Sequence, residues 1–270
     1  MSRRAIATVL ALAIGSGAAG GAFSLLHVLR AERLAYADAR RVCLLRAWDD
    51  AHQRETFDLP LAAFAAVAPG ARSFERLAAY RYWSAALGDG RPERVQAYRV
   101  TADTFPLLGV APLAGRALEA RDCEPGAAKV AVIGYGLWLR RFAGAADAVG
   151  RTLALDGVPH RVVGVMPQSF EFPADAFKGE LWTPLAFDPK DALADPQASG
   201  SVVAIGRLRP GRSPASAEAE LRAALVRRAT EDPATFAALC VRVVPLADIA
   251  GAPLRPAIGS LLALLREPPA

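Results

Sequence analysis

The sequence predicts an α+β protein in which a folded body follows an apolar helix at the N-terminus. Three observations support this fold class. The run 5–29 carries no charged residue and is long enough to cross a bilayer. The rest of the chain alternates short strand-like and helix-like segments in no regular order, which favours α+β over a parallel α/β repeat. Asp156-Gly157 lies between two alternating segments and is typical of a β-hairpin turn.

The run 5–29 predicts a transmembrane helix over residues 1–30. Roughly 20 apolar residues span the hydrocarbon core, and each charged side chain at its centre would cost about 3 kcal/mol. One alternative is a cleaved signal peptide with the small residues 18–22 as its cleavage region. Another is a buried helix of a soluble domain. The membrane helix is favoured because apolar residues continue to Leu29 and the run has no polar face.

Local patterns predict the elements of the body. Residues 31–41 have helical composition and would extend the membrane helix as a stalk. The predicted strands are 42–48, 93–101, 130–133, 151–155, 160–165, 201–208 and 241–246. The predicted helices are 59–68, ended by Pro69-Gly70, then 137–142, and one that begins at Pro214 behind the N-cap Ser213. Residues 171–185 predict an ordered connector. Alternation places Val95, Ala97 and Arg99 on one face of their strand.

Composition describes a folded protein without a nucleic-acid-binding surface. Hydrophobic residues make up 53% of the chain and charged residues 22%, and the net charge is +5. The arginines are spread along the chain, whereas nucleic-acid binding needs a basic patch. Cys43, Cys123 and Cys240 fit no metal-binding spacing. Outside the cytoplasm they allow at most one internal disulfide, and the sequence leaves the pair open.

No catalytic residue and no cofactor is predicted. Gly134-Tyr135-Gly136 follows a strand and begins a helix, as in a dinucleotide-binding turn, but Leu139 stands where the third glycine is needed. The acidic residue at about the expected distance of twenty, Asp156, lies in the hairpin turn and not at the end of a parallel strand. We therefore interpret these glycines as a backbone turn. The sequence also lacks a P-loop, a G-x-S-x-G elbow and an H-E-x-x-H helix.

No metal site is predicted either. Asp122 and Glu124 flank Cys123, but Pro125-Gly126 marks a loop, and we interpret the two carboxylates as solvated. His27 lies near the end of the apolar run, and His52 and His160 are isolated in the sequence. Each histidine is interpreted as a solvated or hydrogen-bonded side chain and not as a ligand.

Several sequence blocks resemble a known family. The most specific are VAVIGYGLW at 130–138, VGRTL at 149–153, VVGVMP at 162–167 and LWTPL at 181–185. Residues 71–80 resemble the segment before the second strand of that family, and 92–116 are similar to its next block. In this order, over roughly residues 40–250, the blocks resemble the MacB-like periplasmic core domain of FtsX-type ABC transporter permeases.

The resemblance implies a core domain over 31–250, with a central subdomain at about 116–196 inserted into an outer one. It implies a bacterial inner-membrane protein, single-pass as the sequence stands, with a cytoplasmic N-terminus and the body in the periplasm. The implied partners are a separate ABC ATPase subunit and the remaining permease helices, and a homodimer is compatible with this arrangement. The implied role is to transmit ATP-driven motion to a substrate or partner, without catalysis.

The sequence departs from the family pattern at its C-terminal end. Residues 251–270 begin a second apolar segment, but the uncharged run 257–265 is too short to span a bilayer. We therefore expect a permease truncated before the second transmembrane helix. Two alternatives remain, a stand-alone membrane-anchored binding or sensor module and a non-functional truncated permease.

Overall fold

The computed structural model describes residues 36, 38–49, 54–56, 58–88, 92–173, 178–195, 199–246 and 248. Ala35–Pro245 form one compact unit, which we call the body. No helix within these ranges is both long and apolar enough to cross a membrane. The predicted transmembrane helix at 1–30 and the apolar segment at 251–270 lie outside the described residues, as do His27 and His52.

The described body contains strands and short helices in irregular order, which confirms the α+β prediction. The strands are β1 (Val42–Asp49), β2 (Arg54–Thr56), β3 (Leu59–Pro60), β4 (Phe74–Leu87), β5 (Glu93–Val100), β6 (Ala114–Gly115), β7 (Val130–Ile133), β8 (Thr152–Leu155), β9 (Val158–Val165), β10 (Leu181–Pro184), β11 (Ser201–Leu208) and β12 (Leu239–Pro245). The α-helices are α1 (Leu61–Val67), α2 (Thr104–Leu108), α3 (Tyr135–Phe142), α4 (Pro189–Ala194), α5 (Pro214–Ala229) and α6 (Pro233–Phe236). Short 3-10 turns lie at Ala39–Arg41, Ala68–Gly70, Ala120–Cys123 and Ala146–Ala148.

The strands form one mixed sheet. Its main path runs β12-β1-β11-β4-β5-β10-β7-β9-β6, and β2, β3 and β8 pair beside it. The pairs β5–β10 and β7–β9 are parallel, and the other pairs are antiparallel. The first long strand and the last strand of the body are therefore neighbours although they are far apart in the sequence. Cys43 is paired with Pro245, so the chain enters and leaves the sheet at the same end.

The hairpin β8–β9 and helix α5 follow the sequence prediction closely. Asp156 and Gly157 join the two strands with φ angles of 49° and 76°, the left-handed conformation that a type I′ turn requires at both positions. Ser213 caps α5, because its side chain accepts a hydrogen bond from the Ser216 amide at 3.1 Å. Pro214 occupies the first helical turn, where no amide donor is needed.

Strand β4 was not predicted. Residues 71–80 resemble a family segment that precedes a strand, so no strand is expected there. The structure instead has one long strand, Phe74–Leu87, in the middle of the sheet. Its residues do not alternate between buried and exposed along its length, and its Glu, Arg, Leu and Ala are good helix formers. Strand pairing on both sides overrides that local preference. The predicted connector 171–185 likewise contains a strand, β10, and α3 begins two residues earlier than predicted.

The buried apolar side chains of the described residues include one cluster toward each end of β4. The first joins α1 and α5 to β1, β11 and β12, with Leu45, Phe64 and Leu221 among its buried side chains. The second joins α3 to β7, β8, β9 and the ends of β4 and β5, with Leu87, Leu137 and Val165 among its buried side chains. The two clusters hold different ends of the long strand β4.

Candidate functional site

Four charged residues lie together where the chain enters the sheet, and we call them the joint. They are Asp38, Arg41, Glu75 and Arg207. Arg41 donates from Nη1 to Oε1 of Glu75 at 2.6 Å and to the carbonyl oxygen of Leu208 at 2.7 Å. Its Nε donates to Oδ2 of Asp38 at 2.5 Å. This hydrogen bond lowers the pKa of the Asp38 carboxyl. Arg41 thus binds the segment before β1 to both β4 and the end of β11.

Arg207 is the buried member of the joint, with 6% of its surface exposed. It donates from Nε to the carbonyl oxygen of Leu107 at 2.7 Å and from Nη1 to that of Asp38 at 3.3 Å. Its Nη2 has no hydrogen-bond partner among the described residues. Burial, followed by the charge of Arg41, lowers the pKa of Arg207. The segment before β1 is therefore connected to α2 as well as to the sheet.

A cleft of about 790 Å³ lies over the middle of the sheet. We call it the arginine cleft, because Arg81 of β4 and Arg99 of β5 form its floor together with Trp83. Its walls come from the hairpin β8–β9, the loop 122–129 and the segment 183–195. These walls are far apart in the sequence, so the cleft exists only in the folded body.

Arg81 and Arg99 are directly opposite each other in the antiparallel register of β4 and β5. Arg81 donates from Nε to the carbonyl oxygen of Ser201 at 2.7 Å and from Nη2 to that of Ser199 at 3.0 Å. The guanidinium carbon of Arg99 lies 4.8 Å from the centroid of the Trp83 ring. Burial, followed by the charge of Arg99, lowers the pKa of Arg81. The fold thus fixes both cations through neutral groups.

Trp83 is held in turn by the hairpin β8–β9. Its Nε1 donates to Oδ2 of Asp156 at 3.0 Å, and the amide of Ala86 donates to Oδ1 of the same carboxylate at 2.8 Å. The ring of His160 lies 6.3 Å from that of Trp83, and its Nδ1 is 2.9 Å from the carbonyl oxygen of Val158. Burial lowers the pKa of His160. His160 was expected to be solvated or hydrogen-bonded, and it is buried with a backbone partner.

Asp122 is buried and is not the solvated loop carboxylate that the sequence suggested. It accepts two hydrogen bonds from Arg116, at 2.6 and 3.0 Å, and one from the amide of Glu119 at 2.8 Å. Burial raises its pKa, but these hydrogen bonds outweigh burial and leave the pKa of Asp122 below its usual value. Its partner is therefore an arginine. Among the described residues, no three His, Cys, Asp or Glu side chains form a group that could hold a metal ion.

Gly134-Tyr135-Gly136 was interpreted as a backbone turn, but the structure places Tyr135 and Gly136 in the first turn of α3. Gly134 is the N-cap of α3, and a Cβ at this position would lie 3.1 Å from the carbonyl oxygen of Glu180 beside β10. The close approach of this neighbouring segment therefore favours glycine here. Asp156 lies in the hairpin turn and contacts β4.

The cysteines lie on different parts of the fold. Cys43 is paired with Pro245, and Cys240 is paired with Trp48, so the two thiols are five positions apart along neighbouring strands. At a rise of about 3.3 Å per residue they are too far apart for a disulfide. Burial raises the pKa of Cys123 to about 11.

The two arginines of the cleft floor were not predicted from the sequence to be site residues. Arg99 was placed on the face of Val95 and Ala97, but nothing local indicates that Arg81 is its neighbour. The register of two strands decides that contact. Arg81 and Trp83 are two positions apart, which places both side chains on one face if the segment is a strand. That inference needs β4 to be known as a strand first.

Three solved structures of domains from permease or transporter proteins share this fold. The periplasmic region of MacB from Actinobacillus actinomycetemcomitans matches with a TM-score of 0.55 and 15% identity, over 82% of this chain and 94% of that one. A domain assigned to a permease protein of Porphyromonas gingivalis matches with a TM-score of 0.56 and 18% identity, over 78% and 93%. The extracellular domain of the noncanonic ABC-type transporter YknZ from Gram-positive bacteria matches with a TM-score of 0.52 and 11% identity, over 74% and 98%. At these identities the likeness is one of fold.

The chain belongs to the MacB-like periplasmic core domain family, whose model matches residues 5–224. The resemblance found in the sequence blocks is thereby confirmed. The body is the extracytoplasmic domain type of MacB-like ABC transporter permeases. No curated protein sequence matches the chain.

Proposed function

We propose that this chain is the non-catalytic extracytoplasmic module of an ABC transporter permease, which passes ATP-driven motion of membrane helices to a substrate or partner. The observation that carries this proposal is the pairing of Cys43 with Pro245. A module carried between two membrane helices must have its two ends side by side, because packed helices lie about 8–10 Å apart. Paired antiparallel strands lie about 5 Å apart and meet that requirement.

The joint is the element that would transfer such motion. The predicted membrane helix ends a few residues before Asp38, and Arg41 and Arg207 bind this segment to the sheet and to α2. A displacement that reaches Asp38 and Arg41 would therefore be passed to the sheet and to α2. The ion pairs of Arg41 with Asp38 and Glu75 are exposed and weak on their own, so the buried Arg207 and the hydrogen bond from Arg41 to the carbonyl oxygen of Leu208 make the main connections.

The two hydrophobic clusters support a division of the body into two subdomains. We propose a transmembrane helix at 1–30, a core domain at 31–250 with a subdomain inserted at about 116–196, and the start of a second apolar segment at 251–270. The second cluster draws mainly on residues of the proposed insertion, from Ile133 to Leu181. The ends of β4 and β5 join it to the outer part.

The proposed partners are a separate ABC ATPase subunit and the remaining permease helices, in the bacterial inner membrane with the body in the periplasm. Topology is tested first, with reporters fused after Leu246 of the full chain. A reporter that is active only in the periplasm should give signal, and one that is active only in the cytoplasm should not. The reverse pattern would overturn the proposed orientation.

Transmission is tested on the tagged full chain, captured in mild detergent from native membranes with its associated proteins. We expect an ABC ATPase to co-purify, and ATP with vanadate to change amide hydrogen exchange in β1 and β12 relative to ADP. Arg41→Gln removes the contacts of Arg41 with Asp38, Glu75 and Leu208 but leaves those of Arg207, so it should reduce that change. Arg222→Gln is the matched control, because this exposed arginine of α5 makes only a 3.8 Å ion pair within its helix. A nucleotide effect of undiminished size in Arg41→Gln, or no effect in the wild type, would refute transmission through the joint.

A further inference from the structure

The arginine cleft holds two facing cations without a carboxylate partner. Like charges directly opposite each other on paired strands are destabilising. Arg81 donates hydrogen bonds to two backbone carbonyl groups, and Arg99 lies over the Trp83 ring. Among the described residues, neither guanidinium forms an ion pair with a carboxylate, and the one carboxylate whose charge acts on Arg81 is that of Asp58. An anionic group placed between the two would relieve their repulsion and accept hydrogen bonds from both.

The fold orients these two cations before any ligand arrives. Gly200 carries the loop over Arg81 with φ +70°, and a Cβ there would lie 3.3 Å from Nη2 of Arg81. Its neighbours Ser199 and Ser201 supply the two carbonyl groups that hold Arg81. Asp156 holds Trp83, and Trp83 supports Arg99. Arg81 is therefore held by neutral backbone groups and Arg99 lies over an aromatic ring, so neither forms an ion pair before a ligand binds, and this preorganisation favours binding.

The residues that line the walls of the cleft indicate which other chemical groups a ligand would carry. Acidic residues outnumber basic ones in the lining of the cleft, so a multiply charged anion such as phosphate would be repelled; the acidic residues are Asp122, Glu124, Asp156, Asp188, Asp191 and Asp195. Lys129 adds one further cation. Apolar side chains line the space between the charged groups, among them Leu61, Val158 and Phe187. The volume of about 790 Å³ lies in the usual range of small-molecule sites, about 300–1,000 Å³.

We propose that the arginine cleft binds a small zwitterion with an apolar body, of the size of a di- or tripeptide. Arg81 and Arg99 hold its carboxylate, and its ammonium group faces Asp188 and Asp191. Apolar side chains of the ligand contact Leu61, Val158 and Phe187. Binding in this cleft does not depend on ATP-driven motion, so its test is independent of the transmission proposal.

Isothermal titration calorimetry of the full chain in detergent tests the cleft with L-alanyl-L-leucine as the probe. We expect this dipeptide to bind. L-alanyl-L-leucinamide lacks the carboxylate and N-acetyl-L-alanyl-L-leucine lacks the ammonium group, and each should bind about tenfold more weakly or worse. Inorganic phosphate should not compete. No binding of the dipeptide at millimolar concentration, equal binding of the amide, or competition by phosphate would overturn the proposal.

Two substitutions and one control variant test whether the dipeptide binds in the arginine cleft. Arg99→Gln should weaken dipeptide binding about tenfold, since it removes a charged hydrogen-bond donor. Its unfolding temperature should not fall, since the repulsion from Arg81 is removed as well. Arg94→Gln is the matched control on the same strand, because this exposed arginine is five positions from Arg99 and so on the other face, and it should bind as the wild type does. Asp191→Asn should weaken the dipeptide but not its N-acetyl derivative. Unchanged binding in Arg99→Gln, or an equal loss in Arg94→Gln, contradicts the assignment.

Discussion

The turn of the hairpin β8–β9 contacts β4 through both the side chain and the backbone of Asp156. Asp156 is the first turn residue and has φ 49°, a left-handed conformation that alanine adopts poorly and glycine adopts freely. Its carboxylate accepts hydrogen bonds from Nε1 of Trp83 and from the amide of Ala86. Its own amide donates to the carbonyl oxygen of Ala86 at 2.8 Å, and this bond does not need the side chain. Side-chain and backbone contributions can therefore be separated by substitution.

Asp156→Ala should lower the free energy of unfolding by about 3 kcal/mol. Two hydrogen bonds to a carboxylate at an exposed position contribute about 1 kcal/mol each, less than the roughly 1.5–3 kcal/mol of charged hydrogen bonds in general, because water competes for the carboxylate here. The left-handed conformation of alanine adds about 1 kcal/mol. Asp156→Gly loses the same hydrogen bonds without that strain, so its loss should be about 2 kcal/mol. Asp156→Asn keeps an acceptor and tolerates the left-handed conformation, and should lose about 1 kcal/mol.

Urea denaturation of the full chain in detergent, followed by tryptophan fluorescence, measures all three variants. We expect the order of destabilisation alanine, glycine, asparagine. Thermal unfolding should show a fall of roughly 6–12 °C for the alanine variant, at about 2–4 °C for each kcal/mol in a body of this size. An alanine variant as stable as the wild type would refute the docking role of the carboxylate. A glycine variant less stable than the alanine variant would refute the strain at φ 49°.

Three further predictions concern single side chains. Gly157→Val should lower the free energy of unfolding by about 2 kcal/mol, although a Cβ there meets no atom within 4 Å, because φ is +76°; unchanged thermal stability would argue against the type I′ turn. Burial lowers the pKa of His160 below 6.5, so the unfolded chain binds this proton more tightly and stability should fall as pH drops below 6.5; His160→Gln should remove that part of the pH dependence, and an equally steep slope contradicts it. Cys123, with a pKa raised from 9.0 to about 11, should react with iodoacetamide at pH 8 about 100-fold more slowly than in the urea-unfolded chain, as followed by mass spectrometry; equal rates would show that its thiol is not buried.

Elements with strong local signals could be predicted from the sequence. The strands Val130–Ile133 and Ser201–Leu208 have the predicted bounds, and Ser213 caps its helix as expected. The hairpin turn at Asp156-Gly157 was also correct. In each case the signal lies within a few residues: a run of β-branched residues, an N-cap before proline, or a turn dipeptide. Such preferences act on the chain before distant contacts form.

Features that depend on strand pairing could not be predicted. The residues of β4 favour a helix, and two neighbouring strands make them a strand. The burial of Asp122 could not be seen either, since a carboxylate beside Pro125-Gly126 is usually solvated, and only the folded loop brings Arg116 within 2.6 Å of it.

The sequence by itself determined the family, the α+β class and the absence of the common catalytic motifs, because these depend on order and spacing along the chain. The tertiary structure decided where distant residues meet. Cys43 and Pro245 became neighbours, and Arg81 and Arg99 came to face each other, through the register of strands that the sequence does not encode locally. Register is set by the packing of whole strands against their partners, since a shift by one residue would turn every side chain to the other face of the sheet.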